Sequence, residues 1–210
     1  FIPLSLTKQK DNIMSDLLYT PTNGSFTGYA VELTEIAPVT EPVTLAEAKE
    51  YARIDGSAED TLITSLIKMA RLHCESYMGK SLIPKTVTVT SFTYPYMFQM
   101  PYGPLLTEGA ITKCVTLDQN NAETALNFEV NTGLYPKLFI LGGAQSYKFK
   151  LVYTAGFTTV PEDIKLAIKM MVNTLYERRE DVIIGTIVAD FPLGVKALLM
   201  PYKTYNWFGA

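Results

Sequence analysis

The stretch that decides the fold is "EPVTLAEAKEYARIDGSAEDTLITSLIKMARLHCESYMGK", residues 41–80. It reads as two successive helices. Thr44-Leu45-Ala46-Glu47 fits a capping box: the Thr44 hydroxyl accepts a free backbone N–H, and Glu47 reaches back to the N–H of Thr44. Leu45, Ala46, Ala48, Lys49 and Glu50 are good helix formers. Gly56 suits the left-handed residue that ends a helix, and Ser57-Ala58-Glu59-Asp60 opens the next with an N-cap pattern. Leu62, Ile63, Leu66, Ile67, Ala70, Cys74 and Tyr77 recur at spacings of three and four, forming one apolar stripe that Gly79 closes. The pattern predicts helices over 44–53 and 58–78.

The second helix carries the only histidine, His73, beside Cys74, one of two cysteines. Adjacent helical residues diverge by about 100° and do not converge on one metal ion. No second histidine exists to complete a zinc or catalytic set. Cys74 therefore reads as a small core residue and His73 as a boundary residue.

Outward from these helices the period changes. From Pro84 to Phe157 it is two. "KTVTVT" (85–90) alternates Val87 and Val89 with threonines, and the phase then slips so that Phe92, Tyr94, Tyr96 and Phe98 fall on even positions. A bulge near Thr90-Ser91 accounts for the slip. "ITKCVTLD" (111–118), "ALNFEV" (125–130), "KLFIL" (137–141) and "YKFKLVY" (147–153) continue a meander of short strands. Turns are expected at 118–121, 131–133 and Gly142-Gly143. In the last strand Tyr147, Phe149, Leu151 and Tyr153 face in, while Lys148 and Lys150 face out.

Helix returns at Pro161, where Glu162 and Asp163 suit the positive end of the helix dipole. Ile164, Ile168, Met171 and Leu175 make its stripe. After the loop "EDVIIGTIVADFP" (180–192), "LGVKALLMPYK" (193–203) forms a short last helix stopped by Pro201. The expected class is α+β: a bundle of about four helices with a β-rich antiparallel insert between the second and third. The expected division is an extended arm over 1–36, with a strand near Tyr29–Leu33; a helical bundle from 37–83 and 158–201; the insert over 84–157; and a tail over 202–210.

Composition narrows the function. The chain has 210 residues, 48% of them hydrophobic, enough for a substantial core. No apolar run approaches the roughly 20 residues that cross a bilayer, so no membrane partner is expected. The start "FIPLSLTKQKDNI" lacks the order of a signal peptide. Met14 opens "MSDLLYTPTNG", so residues 1–13 fit either an added extension or an arm left by processing. Two cysteines set no disulfide framework, and a reducing cytoplasm is the default compartment. A net charge of −3 argues against a grip on nucleic acid. Arg178-Arg179 is flanked by Glu177 and Glu180 and reads as a solvated helix end.

Possible chemistry is sparse. Gly142-Gly143-Ala144 lacks the rest of a phosphate loop and reads as a turn. Glu59-Asp60 and Glu180-Asp181 sit at helix ends or loops and read as caps and surface charge rather than acid–base pairs. The aromatic row Tyr94, Tyr96, Phe98 and Tyr102 could stack on sugars or bases; sheet core or a subunit interface is the simpler reading. No catalytic, metal or cofactor residue is assigned.

Two segments resist a bland account. Ile183, Ile184, Ile187 and Val188 make an unusually apolar connection. Tyr202, Tyr205, Trp207 and Phe208 crowd aromatics into a tail after the last helix. Both point to partner surfaces. Tyr202, Tyr205, Trp207, Phe208, Ile183, Ile184 and Ile187 are the candidate docking residues.

Residues 41–83, "YTAGFTTVPEDIKLAIKMMVNTLYERRE" (153–180) and "PLGVKALLMPY" (192–202), taken in order, resemble the head–tail connector (adaptor) proteins of long-tailed bacteriophages and prophages. The resemblance spans about 37–203 and is carried by the order and spacing of the helical motifs. It implies a non-enzymatic virion protein of the neck, assembled in the host cytoplasm. It further implies a ring, twelve subunits by resemblance, docked under the portal and joining it to a stopper or tail-completion protein. DNA would pass through that ring without specific binding. A mildly acidic lining suits this, because it repels phosphates. The alternative from another class is a carbohydrate-binding or hydrolytic domain that uses the aromatic insert.

Overall fold

A computed structural model describes residues 21–22, 25–26, 29–37, 39–92, 96–107, 109–142, 148–177 and 192–204. Two short strands, β1 (Pro21–Thr22) and β2 (Ser25–Phe26), form a hairpin. Then come β3 (Tyr29–Glu35), α1 (Leu45–Ala52), α2 (Asp60–Met78) and β4 (Lys85–Ser91). Next are β5 (Met97–Gln99), β6 (Ile111–Leu117), β7 (Glu123–Ala125), β8 (Asn127–Asn131), β9 (Lys137–Leu141) and β10 (Lys148–Ala155). The chain returns to helix in α3 (Glu162–Glu177) and α4 (Leu193–Leu199), with a closing 3-10 turn at Met200–Tyr202. Among the described residues, four helices with antiparallel sheets make a mixed α and β fold of the expected class.

Local chemistry explains the helix ends. Thr44 Oγ1 accepts the Glu47 N–H at 3.2 Å, and the Thr44 N–H donates to Glu47 Oε2 at 2.7 Å, so the capping box forms. The end of α1 differs from expectation. Arg53, not Gly56, is the left-handed residue that caps the helix, with its N–H on the Glu50 carbonyl and that of Ile54 on Lys49. Gly56 is also left-handed but lies in the turn beyond, where its carbonyl accepts from the Lys49 ammonium. The start of α2 has no side-chain cap; Asp60 instead pairs with Lys49 at 2.6 Å. Gly79 closes α2 in the left-handed region, as expected. The Pro161 carbonyl accepts the N–H groups of Ile164 and Lys165, so Pro161 stands just outside α3 rather than at its first position.

The helices share one core. Ile63, Leu66, Ile67, Ala70, Cys74 and Met78 of α2 meet Ile164, Ala167, Ile168, Met171 and Val172 of α3, with Ala48 of α1 and Val195 and Leu199 of α4. Leu62, placed on this stripe by spacing, is exposed. Arg71 and Glu75 are buried in places that spacing left to solvent.

The strands form a second core. One sheet runs β3-β4-β10-β6-β7 and another β5-β9-β8, all neighbours antiparallel. Val87, Val89, Phe149, Leu151 and Tyr153 of the larger sheet pack against Phe98, Leu138 and Ile140 of the smaller. Phe98 meets Phe149 edge-on, 6.2 Å between ring centroids. β3 falls where one strand was expected in the N-terminal arm, and it pairs with the full length of β4.

No bulge forms at Thr90-Ser91: β4 keeps its register through Ser91. The slip in phase marks a change of sheet instead, because β5 pairs only with β9. The register shift lies on β10, between Val152 and Tyr153. The expected turn at 118–121 forms, with Asp118 Oδ1 accepting the N–H groups of Asn120 and Ala122 at 2.8 Å.

Leu66→Ala and Ile168→Ala each remove buried volume from the helix core. Each is expected to lower stability by about 2–5 kcal/mol in urea titration, with m unchanged.

Candidate functional site: the base of the C-terminal segment

Of the seven candidate docking residues, Tyr202 lies among the described residues, and the other six, Ile183, Ile184, Ile187, Tyr205, Trp207 and Phe208, fall outside them. The structure therefore defines the base from which the last residues leave. Val195 and Leu199 bury α4 against the helix core. A helix of seven residues is too short to persist alone, so this burial is what holds it. Tyr202 packs at the margin of that core and donates its hydroxyl to Asp163 Oδ2 at 3.3 Å. Burial and the Asp163 charge push its phenol above the ordinary range.

The next two residues are clasped from two sides. The Thr204 N–H donates to the Met78 carbonyl at 2.8 Å, at the end of α2. The Lys203 ammonium lies over the Tyr77 ring, 4.7 Å from its centroid. From the other side the hydroxyl of Tyr135, between β8 and β9, lies between the carbonyls of Pro201 and Lys203 at 3.2 and 3.1 Å, its one proton shared between the two acceptors. Residues 202–204, assigned to the tail by sequence, are thus held by α2 and by the β8–β9 connection.

Lys80 completes this junction. It follows Gly79, bridges Tyr102 through the backbone and is 1% exposed. Its ammonium donates to the Leu134 carbonyl and lies 4.1 Å from the centroid of the Tyr135 ring. Burial pulls its pKa down to about 8 from an ordinary 10.5. One aromatic residue therefore meets the end of α2 through its face and the C-terminal segment through its hydroxyl.

A second buried polar group lies further back along α2. The Arg71 guanidinium is fully buried and reaches three carboxylates: Glu41 at 2.8 Å, Glu75 at 3.0 Å and Glu35 at 3.3 Å. Burial opposes its charge, but Glu75, Glu41 and Glu35 together raise its pKa. Lys85 donates to Glu75 at 2.7 Å, and the other Glu75 oxygen accepts the Leu82 N–H at 2.8 Å. This group binds α2 to the end of the edge strand β3 and to the start of its neighbour β4. The signal in the sequence was the i, i+4 pair Arg71 and Glu75, which a purely apolar stripe overlooks.

The remaining candidates are structural where described. Cys74 is buried in the helix core, and burial, with Glu75 beside it, pushes its thiol up to about 12. Burial pushes Cys114 up to about 11. Neither is a thiolate nucleophile. His73 is exposed on α2. Asp60 pairs with Lys49, and Glu59 accepts the Tyr176 hydroxyl. Arg178, Arg179, Glu180, Asp181 and Tyr94 fall outside the described residues. Phe98 is core while Tyr96 is exposed, so these two do not share one stacking platform. Among the described residues there is no cluster of three His, Cys, Asp or Glu side chains fit to hold a metal, and no helix is long and apolar enough to cross a membrane.

Two outcomes test this geometry. Arg71→Ala removes the ion pair to Glu41 and one of the two ion pairs on the buried Glu75, and is expected to cost about 3–5 kcal/mol in urea titration. The Lys80 test reads pH. The unfolded chain keeps the Lys80 proton up to 10.5 while the folded chain releases it near 8, so between these values the unfolded state binds more protons. Stability from this group therefore rises with pH across that window. The difference between the native chain and Lys80→Met, followed by denaturant midpoint, should show that rise in the native chain alone.

Comparison with known proteins places this architecture. No curated protein matches the chain. Solved structures share its fold, among them these three. The neck of an empty gene transfer agent (GTA) particle, computed with C6 symmetry, matches at 21% identity and a TM-score of 0.65, covering 85% of this chain and 98% of that one. The virion of a native GTA particle matches at 23% and 0.66, with the same coverage. The neck of a native GTA particle, computed with C12 symmetry, matches at 21% and 0.65, again over 85% and 98%. The family model described as head completion protein matches residues 41–204, most of the chain including both buried polar groups' helical residues and the base of the C-terminal segment, and the chain belongs to the head completion protein family.

Proposed function

We propose that this chain is a structural, non-enzymatic protein of the neck of a phage-like particle. It forms a ring, docks beneath the portal, joins the capsid to a stopper or tail-completion protein, and lines part of the DNA channel. The observation that carries the reading is family membership over residues 41–204, supported by a fold shared with proteins solved in GTA necks. The symmetry of those necks, C6 and C12, supports a ring of twelve. The net charge of −3 suits a passage through which DNA slides. In this reading 37–83 and 158–201 act as the helical body, 84–157 as the insert, 1–36 as an arm and 202–210 as a tail. Assembly takes place in the host cytoplasm and the product resides in the virion.

The C-terminal residues serve as the portal anchor, with Trp207 at their centre and Tyr202, Tyr205 and Phe208 around it. Ile183, Ile184 and Ile187 form a second docking segment. The clasp on residues 201–204 supports this assignment, because a tail that starts from a fixed base loses less entropy on docking than one that starts from a loose end. Truncation after Pro201 would dismantle that clasp, so the informative deletion begins after Thr204. The truncated protein is expected to unfold like the native chain yet fail to bind portals, leaving DNA-filled heads without tails. Normal portal occupancy by the truncated protein would remove the tail as anchor and leave the segment at 182–188.

A further inference from the structure

We infer that the outer stripe of α2 is a contact between copies of this chain, and that it packs on the exposed apolar end of the neighbouring copy's smaller sheet. The inference rests on the ring proposed above. Leu62, Ser65, Met69, Leu72 and Ser76 follow one another at spacings of three, four, three and four. All five are exposed. They run along the side of α2 opposite the core residues Ile63, Ile67, Ala70 and Cys74. The outer side of a solvated helix ordinarily carries charge, and this stripe carries none over about four turns. A helix that is apolar on two sides is covered on two sides, and the two serines allow close approach.

The second patch lies on the other core. Phe92 at the end of β4 is 73% exposed and Tyr96 ahead of β5 is 76% exposed. Met97 and Leu141 are also exposed, and the pairing of Met97 with Phe139 puts Met97, Phe139 and Leu141 on one face of the smaller sheet. The two patches are different in kind, one helical and one on strands. A closed ring requires such a pair, since each copy offers one surface to the left and another to the right. The rotational symmetry of the similar neck structures is the reason for assigning a second copy as the occupant. DNA offers no apolar surface to match the helical stripe, and an anchor on another neck protein would need only one patch.

The test uses assembled particles. Leu72→Cys and Tyr96→Cys are made singly and together, at exposed positions, and the particles are treated with a short bismaleimide. The double variant should give a ladder of covalent multimers; each single variant should give none, as should the native chain, whose cysteines are buried. Cross-linking by Leu72→Cys alone would mean a two-fold contact and overturn the inference. A double variant present in necks at native occupancy but giving no ladder would overturn it while leaving the ring intact. As a second readout, Met69→Glu should preserve thermal unfolding and lower neck occupancy at least about tenfold, the effect of roughly 1.4 kcal/mol per contact. Unchanged occupancy would equally overturn it. Absence of the native chain from necks would instead refute the proposed function, and this inference with it.

Discussion

The fold depends on a charge that has no route to water. Arg71 is fully buried, and an isolated guanidinium there would cost several kcal/mol. Glu35, Glu41 and Glu75 remove that cost only if three separate pieces of chain arrive together: the end of β3, the strand-to-helix connection and α2 itself. Lys85 brings the start of β4 to the same point. An apolar contact tolerates sliding, whereas a guanidinium with carboxylates on several of its nitrogens does not. The group therefore works as a register pin between the helix core and the sheet.

The other joint is less charged and closer to function. Just past the C-terminal end of α2, Lys80, Tyr135 and the carbonyls of Pro201 and Lys203 link the helices, the β8–β9 connection and the C-terminal segment. Gly156, where β10 hands over to α3, lies so near the Ile83 backbone that a side chain there would come within 2.7 Å of its carbonyl oxygen. A load applied to the C-terminal segment thus reaches both cores through hydrogen bonds and direct backbone contact rather than through a flexible hinge.

Among the described residues, the groups weighed for chemistry are engaged in the fold. The two thiols are buried and held protonated. The acidic residues described near helix ends are engaged with Lys49 and Tyr176. What the surface offers instead is apolar area on α2 and on the smaller sheet, the raw material of association.

Much of this was legible in the chain. The capping box at Thr44, the stop at Gly79, the stripes of α2 and α3 and the alternation in β4 and β10 depend on neighbours a few residues away, and spacing alone encodes them. The motif order that marks the family is equally local. The left-handed end of α1 went to Arg53 through two local backbone hydrogen bonds onto the Glu50 and Lys49 carbonyls, although Gly56 carried the lower intrinsic cost. Two kinds of feature were decided only by tertiary structure. The aromatic row split between core and surface because β5 joined a second sheet, and strand partners are not written in period-two alternation. Arg71, Lys80 and Tyr135 gained their roles from partners 30 to 68 residues away. A periodic pattern states which side of an element is apolar, but it does not state which distant carboxylate or carbonyl will meet a polar group placed there, because that depends on how the elements pack.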